Sequence, residues 1–280
     1  MVPRETLVCH PEEGAPLTDD VTANDRVDTP ATDDPDGEPG GALEGNDPRV
    51  VHLMGSAHDV VSAFATMLAD QGVTRGLIGP REVPRLWERH LVNSAAVAAF
   101  LPVTGTILDV GTGAGLPGVV LAAMRPDQHV ILLEPMERRV TWLQEVVDAL
   151  GLTSAEVLRG RAEELHRKLQ VDVVTARAVA PMDRLARWTL PLLRAGGVLL
   201  AMKGDQAAAE LAAASGVIRS LGGSSGEILT APTVDGLPPT TVVRVTLELV
   251  KPGSRPATPA AASAGRRRPK RGGPHRETKR

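Results

Sequence analysis

The sequence is short of the side chains on which much covalent and structural chemistry depends. Its 280 residues include one cysteine, Cys9, no tyrosine and two phenylalanines. A single cysteine excludes an internal disulfide and a cysteine-based metal cluster, and it suits a reducing compartment. No apolar segment reaches the roughly 18 residues of a membrane span, and the N-terminus lacks the basic start and apolar stretch of a signal peptide. We therefore expect a cytoplasmic protein without a membrane anchor or a metal site.

Charge is spread unevenly along the chain. The net charge of −3 hides an acidic N-terminal stretch, residues 1–48, with 13 acidic residues and two arginines. The C-terminal stretch, residues 251–280, has ten lysines and arginines and one glutamate. Both stretches have too few apolar residues to offset the entropy lost on ordering. They predict two disordered tails around one domain at 49–250, which is long enough to bury a sizeable core.

The first part of this domain, residues 49–104, has the apolar periodicity of helices. It predicts a helix at 57–71 and a second one at 84–100, for which Pro84 is a suitable first-turn residue. Together these two helices form a predicted N-terminal helical cap.

The second part, residues 105–250, alternates strand-like apolar runs with helical segments. Strands are predicted at 106–110, 130–134, 155–159, 171–175, 197–202, 227–230 and 241–249, and helices at 117–125, 136–150, 161–169, 182–194 and 205–215. Gly151 and Gly196-Gly197 mark predicted helix ends, and the long last strand is predicted to be an antiparallel edge or hairpin strand. The alternation predicts an α/β fold with a doubly wound, Rossmann-like, mostly parallel seven-stranded sheet.

Four glycines within eight residues follow the first predicted strand, in the segment GTGAGLPG at 111–118. A strand, a glycine turn and a helix start form the loops that bind adenosine cofactors, because glycine lets a ligand approach the backbone and a helix N-terminus has free N–H groups. The loop alone leaves three interpretations open. It is a structural turn, a dinucleotide fingerprint of the G-x-G-x-x-G type, or a loop for S-adenosylmethionine.

Acidic residues at the strand ends favour S-adenosylmethionine. Asp109 stands two residues before the first glycine, where a carboxylate attracts the sulfonium and amino charges of that cofactor and repels a pyrophosphate. Glu134 ends the second strand, where a carboxylate can bind ribose hydroxyls. Ala162 and Glu163 follow the third strand, where adenine would lie. All these positions follow strand ends, on the face where open α/β sheets bind ligands.

Four blocks of the sequence resemble the ribosomal RNA small-subunit methyltransferase G family, also called glucose-inhibited division protein B. They are LWERHL at 86–91, DVGTGAGLPG at 109–118, TARAVA at 175–180 and GGVLLAMKG at 196–204. The Gly-Leu-Pro-Gly ending of the second block is far more specific than a general cofactor loop. The resemblance covers residues 50–250. It implies an S-adenosylmethionine-dependent methyltransferase fold and methylation of guanine N7 in small-subunit ribosomal RNA, either free or in a ribosomal particle. We expect a monomer.

The resemblance implies cofactor contacts at Gly111, Leu116, Ala162, Glu163 and Arg177, and the residues themselves indicate the other candidates. Cofactor contacts are expected in the loop and after the later strands, together with the acids described above: Asp109, Gly111, Gly113, Leu116, Glu134, Ala162, Glu163 and Arg177. Basic residues expected to contact RNA are Arg89, His90, Arg177 and Lys203. No catalytic base is expected, because guanine N7 has a free lone pair and no proton.

Other methyltransferase classes fit poorly. Methylation of cytosine C5 needs a nucleophilic cysteine, and the domain has none. Enzymes that methylate exocyclic amines resemble one another in an Asn/Asp-Pro-Pro-Tyr/Phe motif that this chain lacks. The alternatives that stay open are a small-molecule methyltransferase, a nicotinamide dehydrogenase and an S-adenosylmethionine-sensing RNA-binding module without turnover. The basic tail is expected to aid RNA capture without setting specificity.

Overall fold

A computed structural model describes residues 43–248. The predicted basic tail, residues 251–280, lies outside the described residues, and so does the predicted acidic tail except for its last six residues. Both tails therefore stay predictions from sequence. Within the described part, no helix is long and apolar enough to cross a membrane.

The helical cap begins with α1 (Pro48–Met54), which the sequence analysis did not predict. Asp47 caps this helix, since its Oδ1 accepts a hydrogen bond of 2.8 Å from the Arg49 N–H, and Pro48 suits the first turn. A short 3-10 turn leads into α2 (His58–Gln71), which confirms the helix predicted at 57–71. The buried face of α2 contributes large side chains to the core beneath the cap.

The prediction of one regular helix at 84–100, as the second helix of the cap, is wrong. The chain passes through a 3-10 segment (Pro80–Arg85), a π-helical turn (Leu86–Leu91), α3 (Val92–Ala96) and a closing 3-10 turn (Val97–Phe100). Leu86 and Leu91 are both buried. Residues five apart lie on different faces of an α-helix but share a face where hydrogen bonds join i and i+5. Burial of both leucines therefore favours the π-helical turn.

Seven strands form one sheet in the order β3-β2-β1-β4-β5-β7-β6. The first five strands run parallel, and β7 runs antiparallel to both β5 and β6. The strands are β1 (Ile107–Val110), β2 (Val130–Glu134), β3 (Ala155–Arg159), β4 (Val171–Arg177), β5 (Leu193–Met202), β6 (Glu227–Ala231) and β7 (Thr240–Thr246). This confirms the predicted doubly wound, mostly parallel seven-stranded sheet. The last strand is a hairpin partner of β6, but it is not an edge strand, because β6 forms that edge.

Helices connect the parallel strands, with some bounds that differ from prediction. They are α4 (Gly118–Met124), α5 (Glu137–Ala149), α6 (Met182–Thr189) and α7 (Ala207–Ser220). The helix predicted at 161–169 is wrong, since only a short 3-10 turn (Ala162–Leu165) forms there. A 3-10 turn (Leu190–Leu192) also follows α6, so β5 begins earlier than predicted.

Gly196 and Gly197 do not end a helix, which corrects the sequence prediction. They lie inside β5, where the pairing with β4 shifts register between Leu193 and Val198. Gly196 has a φ of 83°, and a Cβ on Gly197 would lie 2.9 Å from the Asp172 carbonyl oxygen. The two glycines therefore permit a bulge in the strand. Gly151, by contrast, follows α5 with a φ of 62°, as predicted for a helix end.

The sheet separates two hydrophobic clusters. One lies under the cap, α4 and α5 and includes Phe64 and Trp142, while the other lies under α6 and α7 and includes Met182 and Leu185. The central strands are buried on both faces, which explains their continuously apolar sequences. The carboxyl ends of β1, β2 and β4 meet at one edge of the sheet, where strand order reverses between β1 and β4. That is the position at which such sheets bind ligands.

Candidate active site

The glycine-rich loop joins β1 to α4 at this edge. Gly111, Gly113 and Gly115 have φ angles of 66°, 59° and 110°, a region that favours glycine because a Cβ is strained there. The N–H groups of Gly111 and Thr112 donate to the Leu133 carbonyl oxygen at 2.9 and 3.2 Å, which ties the loop to the end of β2. The backbone geometry thus requires glycines that the motif contains.

Asp109, the predicted partner of the cofactor's positive charges, is fully buried under this loop. Its Oδ2 accepts a hydrogen bond of 2.8 Å from the Gly118 N–H at the start of α4, and its Oδ1 accepts one of 3.0 Å from the Thr175 hydroxyl of β4. Burial raises the pKa of Asp109 to about 6, although these hydrogen bonds and the charge of Arg177 act to lower it. Asp109 therefore links β1, β4 and α4, and its contact with a cofactor stays a prediction.

Glu134 ends β2 beside the loop and is almost fully buried. Its Oε2 accepts a hydrogen bond of 3.0 Å from the Gly113 N–H, and its Oε1 accepts one of 3.0 Å from the Met136 N–H. The Arg139 guanidinium lies 3.8 Å from the latter oxygen. The carboxylate thus lies against the middle of the loop, and its predicted role in ribose binding is untested.

The other predicted cofactor residues differ in exposure. Ala162 is buried and Glu163 is exposed, in the 3-10 turn that follows β3. Since Arg159, the last residue of β3, pairs with Glu134, this turn begins at the same edge of the sheet. Leu116, in contrast, packs into the hydrophobic cluster below the loop, so its side chain is part of the core.

Arg177, at the end of β4, reaches the helical cap. Its Nη1 donates a hydrogen bond of 2.9 Å to Nδ1 of His90 in the π-helical turn. The other ring nitrogen of His90 lies 2.6 Å from Glu82 Oε2, and Arg89 Nη1 lies 3.5 Å from Glu82 Oε1. The structure thus brings together three of the four basic residues predicted to contact RNA. Sequence reasoning missed Glu82, since no motif distinguishes it from an ordinary surface acid.

Two groups of this cluster, Arg177 and His90, have pKa values below their ordinary values. Burial lowers the pKa of Arg177, and the charges of Asp109 and Glu82 oppose that effect. Burial, followed by the positive charge of Arg177, lowers the pKa of His90, while Glu82 raises it. Arginine stays protonated in proteins, so the cluster at neutral pH combines a charged arginine with a neutral histidine.

The backbone beyond Arg177 is strained. Ala178 has a φ of 53°, which is uncommon for a residue with a side chain and is often found at functional sites. Its neighbour Val179 packs against the glycine loop, because a Cβ on Gly111 would lie 3.1 Å from Val179 Cγ2. The segment after β4 and the loop after β1 therefore contact each other directly.

Lys203, the fourth basic residue predicted to contact RNA, has protein partners. Its Nζ donates hydrogen bonds of 2.6 Å to the Ala180 carbonyl oxygen and 2.8 Å to Glu210 Oε2. Glu210 Oε2 also accepts a hydrogen bond of 3.0 Å from the Met182 N–H. Lys203 and Glu210 thus brace the segment between β4 and α6, and an RNA contact by Lys203 stays a prediction.

The groups at this edge fit S-adenosylmethionine. A Cβ on Gly113 would meet no atom nearer than the Gly111 carbonyl oxygen at 3.8 Å, so the backbone of the loop is open to a ligand. The Glu134 carboxylate suits hydroxyl and ammonium donors. A pyrophosphate would instead meet the like charges of Asp109 and Glu134, which disfavours a dinucleotide.

Comparison with known proteins agrees with this assignment. The family model described as rRNA small subunit methyltransferase G matches residues 57–232. A protein of Thermobifida fusca named ribosomal RNA small subunit methyltransferase G is 51% identical over 78% of this chain and 90% of its own length. Proteins with the same name from Salinispora arenicola and Streptomyces coelicolor are 49% and 52% identical, over 77% and 75% of this chain and 92% and 89% of their own lengths. The resemblance of the four sequence blocks is thereby confirmed, and the chain belongs to the rRNA small subunit methyltransferase G family.

Proposed function

We propose that this protein transfers a methyl group from S-adenosylmethionine to N7 of a guanine in small-subunit ribosomal RNA. Membership of the family carries the proposal. The geometry supports it, because three of the family's sequence blocks converge at one edge of the sheet. The loop at 109–118 packs against the segment at 175–180 through Val179, and the block at 86–91 reaches that segment through His90.

The acceptor chemistry agrees with the residues present. When bound, S-adenosylmethionine supplies an electrophilic methyl group on a positively charged sulfur. Guanine N7 has a lone pair and no proton, so one N–C bond forms as one S–C bond breaks, and the protein need not remove a proton. The remaining requirement is alignment of the two reactants, which can supply a large part of a rate enhancement.

Different residues of the site would align the cofactor and the acceptor base. Gly113 leaves the loop backbone accessible, and Glu134, with Ala162 and Glu163 beyond it, would hold the cofactor. Arg177 lies where the loop, β4 and the cap meet. Its planar fork of donors can bind guanine O6 or a phosphate oxygen, and it would thereby orient the acceptor base.

A chemical test of the product decides the proposal. Purified protein, S-adenosylmethionine with a labelled methyl group and unmethylated small-subunit particles are incubated together, with free ribosomal RNA tested in parallel. Because 7-methylguanine carries a positive charge, mild reduction and aniline should cleave the RNA at the methylated position. We expect one primer-extension stop that requires both protein and cofactor. The comparison also identifies whether RNA or the particle is the substrate.

Two results would contradict the proposal. Transfer of label to small metabolites alone would indicate a small-molecule methyltransferase. Binding of cofactor and RNA without any transfer would indicate a binding module. The monomeric state and the cytoplasmic location expected from sequence stay predictions.

A further inference from the structure

We propose that Glu82 and His90 are positioning residues for Arg177, and that they hold its guanidinium in place only while His90 is neutral. The inference rests on the proposed function, in which Arg177 orients the acceptor base. It gives His90 a different role from the RNA contact expected from sequence, and it assigns a role to Glu82.

The geometry defines the tautomer of His90. The Arg177 guanidinium has donors and no acceptor, so His90 Nδ1, at 2.9 Å from Arg177 Nη1, must accept. The proton of the neutral ring is then on Nε2, which donates to Glu82 Oε2 at 2.6 Å. This hydrogen-bonded chain joins the 3-10 segment, the π-helical turn and β4.

The hydrogen bonds that run from Glu82 through His90 hold one end of the Arg177 guanidinium group. In the part of the protein that the structure describes, the Arg177 guanidinium makes one hydrogen bond, to His90. The remaining N–H groups are left for a ligand. The two positioning residues come from the cap, whereas Arg177 comes from the sheet, so the contact also fixes the cap against the candidate active site.

Protonation of His90 would break this chain. A proton on Nδ1 removes the acceptor for Arg177 and places two positive charges together. The charged groups that face His90 are Glu82 from the 3-10 segment, Arg177 from β4 and Arg89 from its own turn, and Asp109 faces Arg177 from β1. Burial and the two arginines lower the pKa of His90. The proton is therefore taken up only below the ordinary range of histidine, and activity should fall on the acid side of neutrality.

The first test uses the free protein and needs no methyl transfer. Nitrogen NMR of labelled histidine distinguishes the two neutral tautomers and the charged ring, and the His90→Asn variant identifies the His90 signal among the seven histidines. We expect the Nε2–H tautomer at pH 7 and a midpoint below the ordinary value of about 6.5. A charged ring or the Nδ1–H tautomer at pH 7 would overturn the proposal.

The second test compares two substitutions of His90. Asparagine places an oxygen near Nδ1 and keeps an acceptor for Arg177, whereas glutamine reaches towards Glu82 and removes that acceptor. We expect His90→Gln to lower kcat about a hundredfold, the loss typical of a reacting group displaced by about 1 Å. His90→Asn should keep kcat within about tenfold of wild type and lose the acid limb of the pH profile. If both variants lose kcat equally and keep the pH profile of wild type, the role of His90 is only structural.

The third test changes Glu82. Its charge raises the pKa of His90, so Glu82→Gln should move the acid limb of the pH profile to lower pH while retaining an oxygen acceptor. Glu88→Gln is the matched control, because Glu88 lies in the same region and pairs with Arg85 at 3.5 Å. If the acid limb stays in place in Glu82→Gln, or moves equally in both variants, Glu82 does not act on Arg177 through His90 as proposed.

Failure of this inference can be told apart from failure of the proposed function. If the wild-type protein methylates no guanine N7, the proposed function is wrong, and the NMR titration still decides the state of His90. If the wild-type protein is active and the substitutions at His90 and Glu82 leave its pH profile unchanged, the inference alone is wrong.

Discussion

At the scale of single residues, Asp109 fits a cofactor-binding motif in the sequence, but its hydrogen bonds in the structure are to other parts of the protein. Its position before the glycines indicated a carboxylate for the cofactor's positive charges. In the structure its two oxygens accept hydrogen bonds from Gly118 and Thr175, so it holds the start of α4 and the end of β4. A carboxyl group buried in this way resists ionisation, and this gives it a measurable effect on stability.

Asp109→Asn should change the pH dependence of the free energy of unfolding. The pKa of Asp109 is about 6 in the folded protein and about 3.9 when unfolded. The folded state therefore binds the proton more tightly, and this contribution is fully present below pH 3.9 and lost as pH rises through 6. The two pKa values correspond to a difference on the order of 3 kcal/mol.

Urea unfolding of both proteins between pH 4.5 and 7.5 measures this effect. The stability of wild type relative to Asp109→Asn should be greatest at the acid end and decline towards neutral pH. Asparagine lacks the titrating group, so other carboxyl groups cancel in the difference. A difference that does not vary with pH would show that the burial of Asp109 has no effect on its ionisation.

At the scale of secondary-structure elements, one exception to regular geometry lies at the site, and another lies at the opposite edge of the sheet, where β4 and β5 begin. The π-helical turn presents His90 to Arg177, and the bulge in β5 allows that strand to start before Gly196. Sequence periodicity could not predict either, because it assumes constant spacing within an element. The segment from Ala178 to Pro181 belongs to no regular element. Lys203, directly after β5, and Glu210 of α7 hold its C-terminal end, through the Ala180 carbonyl oxygen and the Met182 N–H.

Replacing Lys203 with methionine tests that brace. Lys203→Met keeps the length of the side chain but removes the donor to the Ala180 carbonyl oxygen and to Glu210. Loss of the partners of poorly exposed acceptors should lower the free energy of unfolding by about 1–3 kcal/mol. Urea denaturation measures the change.

Arg244→Met is the control for this substitution. Arg244 pairs with Glu227 at 2.7 Å, and both side chains are at least one-third exposed, so its removal should cost no more than about 1 kcal/mol. Equal losses in the two variants would mean that Lys203 contributes no more than a surface ion pair. The RNA contact predicted for Lys203 would then regain support, because its partners in the fold would contribute little.

At the scale of the whole molecule, charge is segregated along the chain. The basic stretch at 251–280 lies outside the described residues, and its predicted role in RNA capture depends on composition alone. Cationic segments bind phosphates by releasing counterions, and the strength of that binding falls steeply with salt. The residues that would read the substrate, in contrast, lie in the described domain.

Removal of residues 252–280 should weaken RNA binding and reduce its dependence on salt. The removed segment holds nine lysines and arginines, and each phosphate that the protein no longer neutralises makes the slope of log K against log salt shallower by roughly 0.7–0.9. Binding is measured at several salt concentrations for full-length protein, truncated protein and a full-length control with these residues changed to glutamine. An unchanged slope in the truncated protein would contradict the predicted role, and specificity for one guanine should persist in all three.

The sequence by itself determined the fold class, the cofactor loop and the candidate Arg177, because apolar periodicity and glycine spacing are local properties. Parallel strands also bring their carboxyl ends to one edge, so residues that follow strands could be assigned to one site. Only the tertiary structure decided which side chains these site residues meet as hydrogen-bond partners. Thr175 lies 66 residues from Asp109 and Arg177 lies 87 residues from His90, and no local pattern records which distant side chain a buried polar group will meet. Burial then decided the charge states, since desolvation acts on a group only after the chain has folded around it.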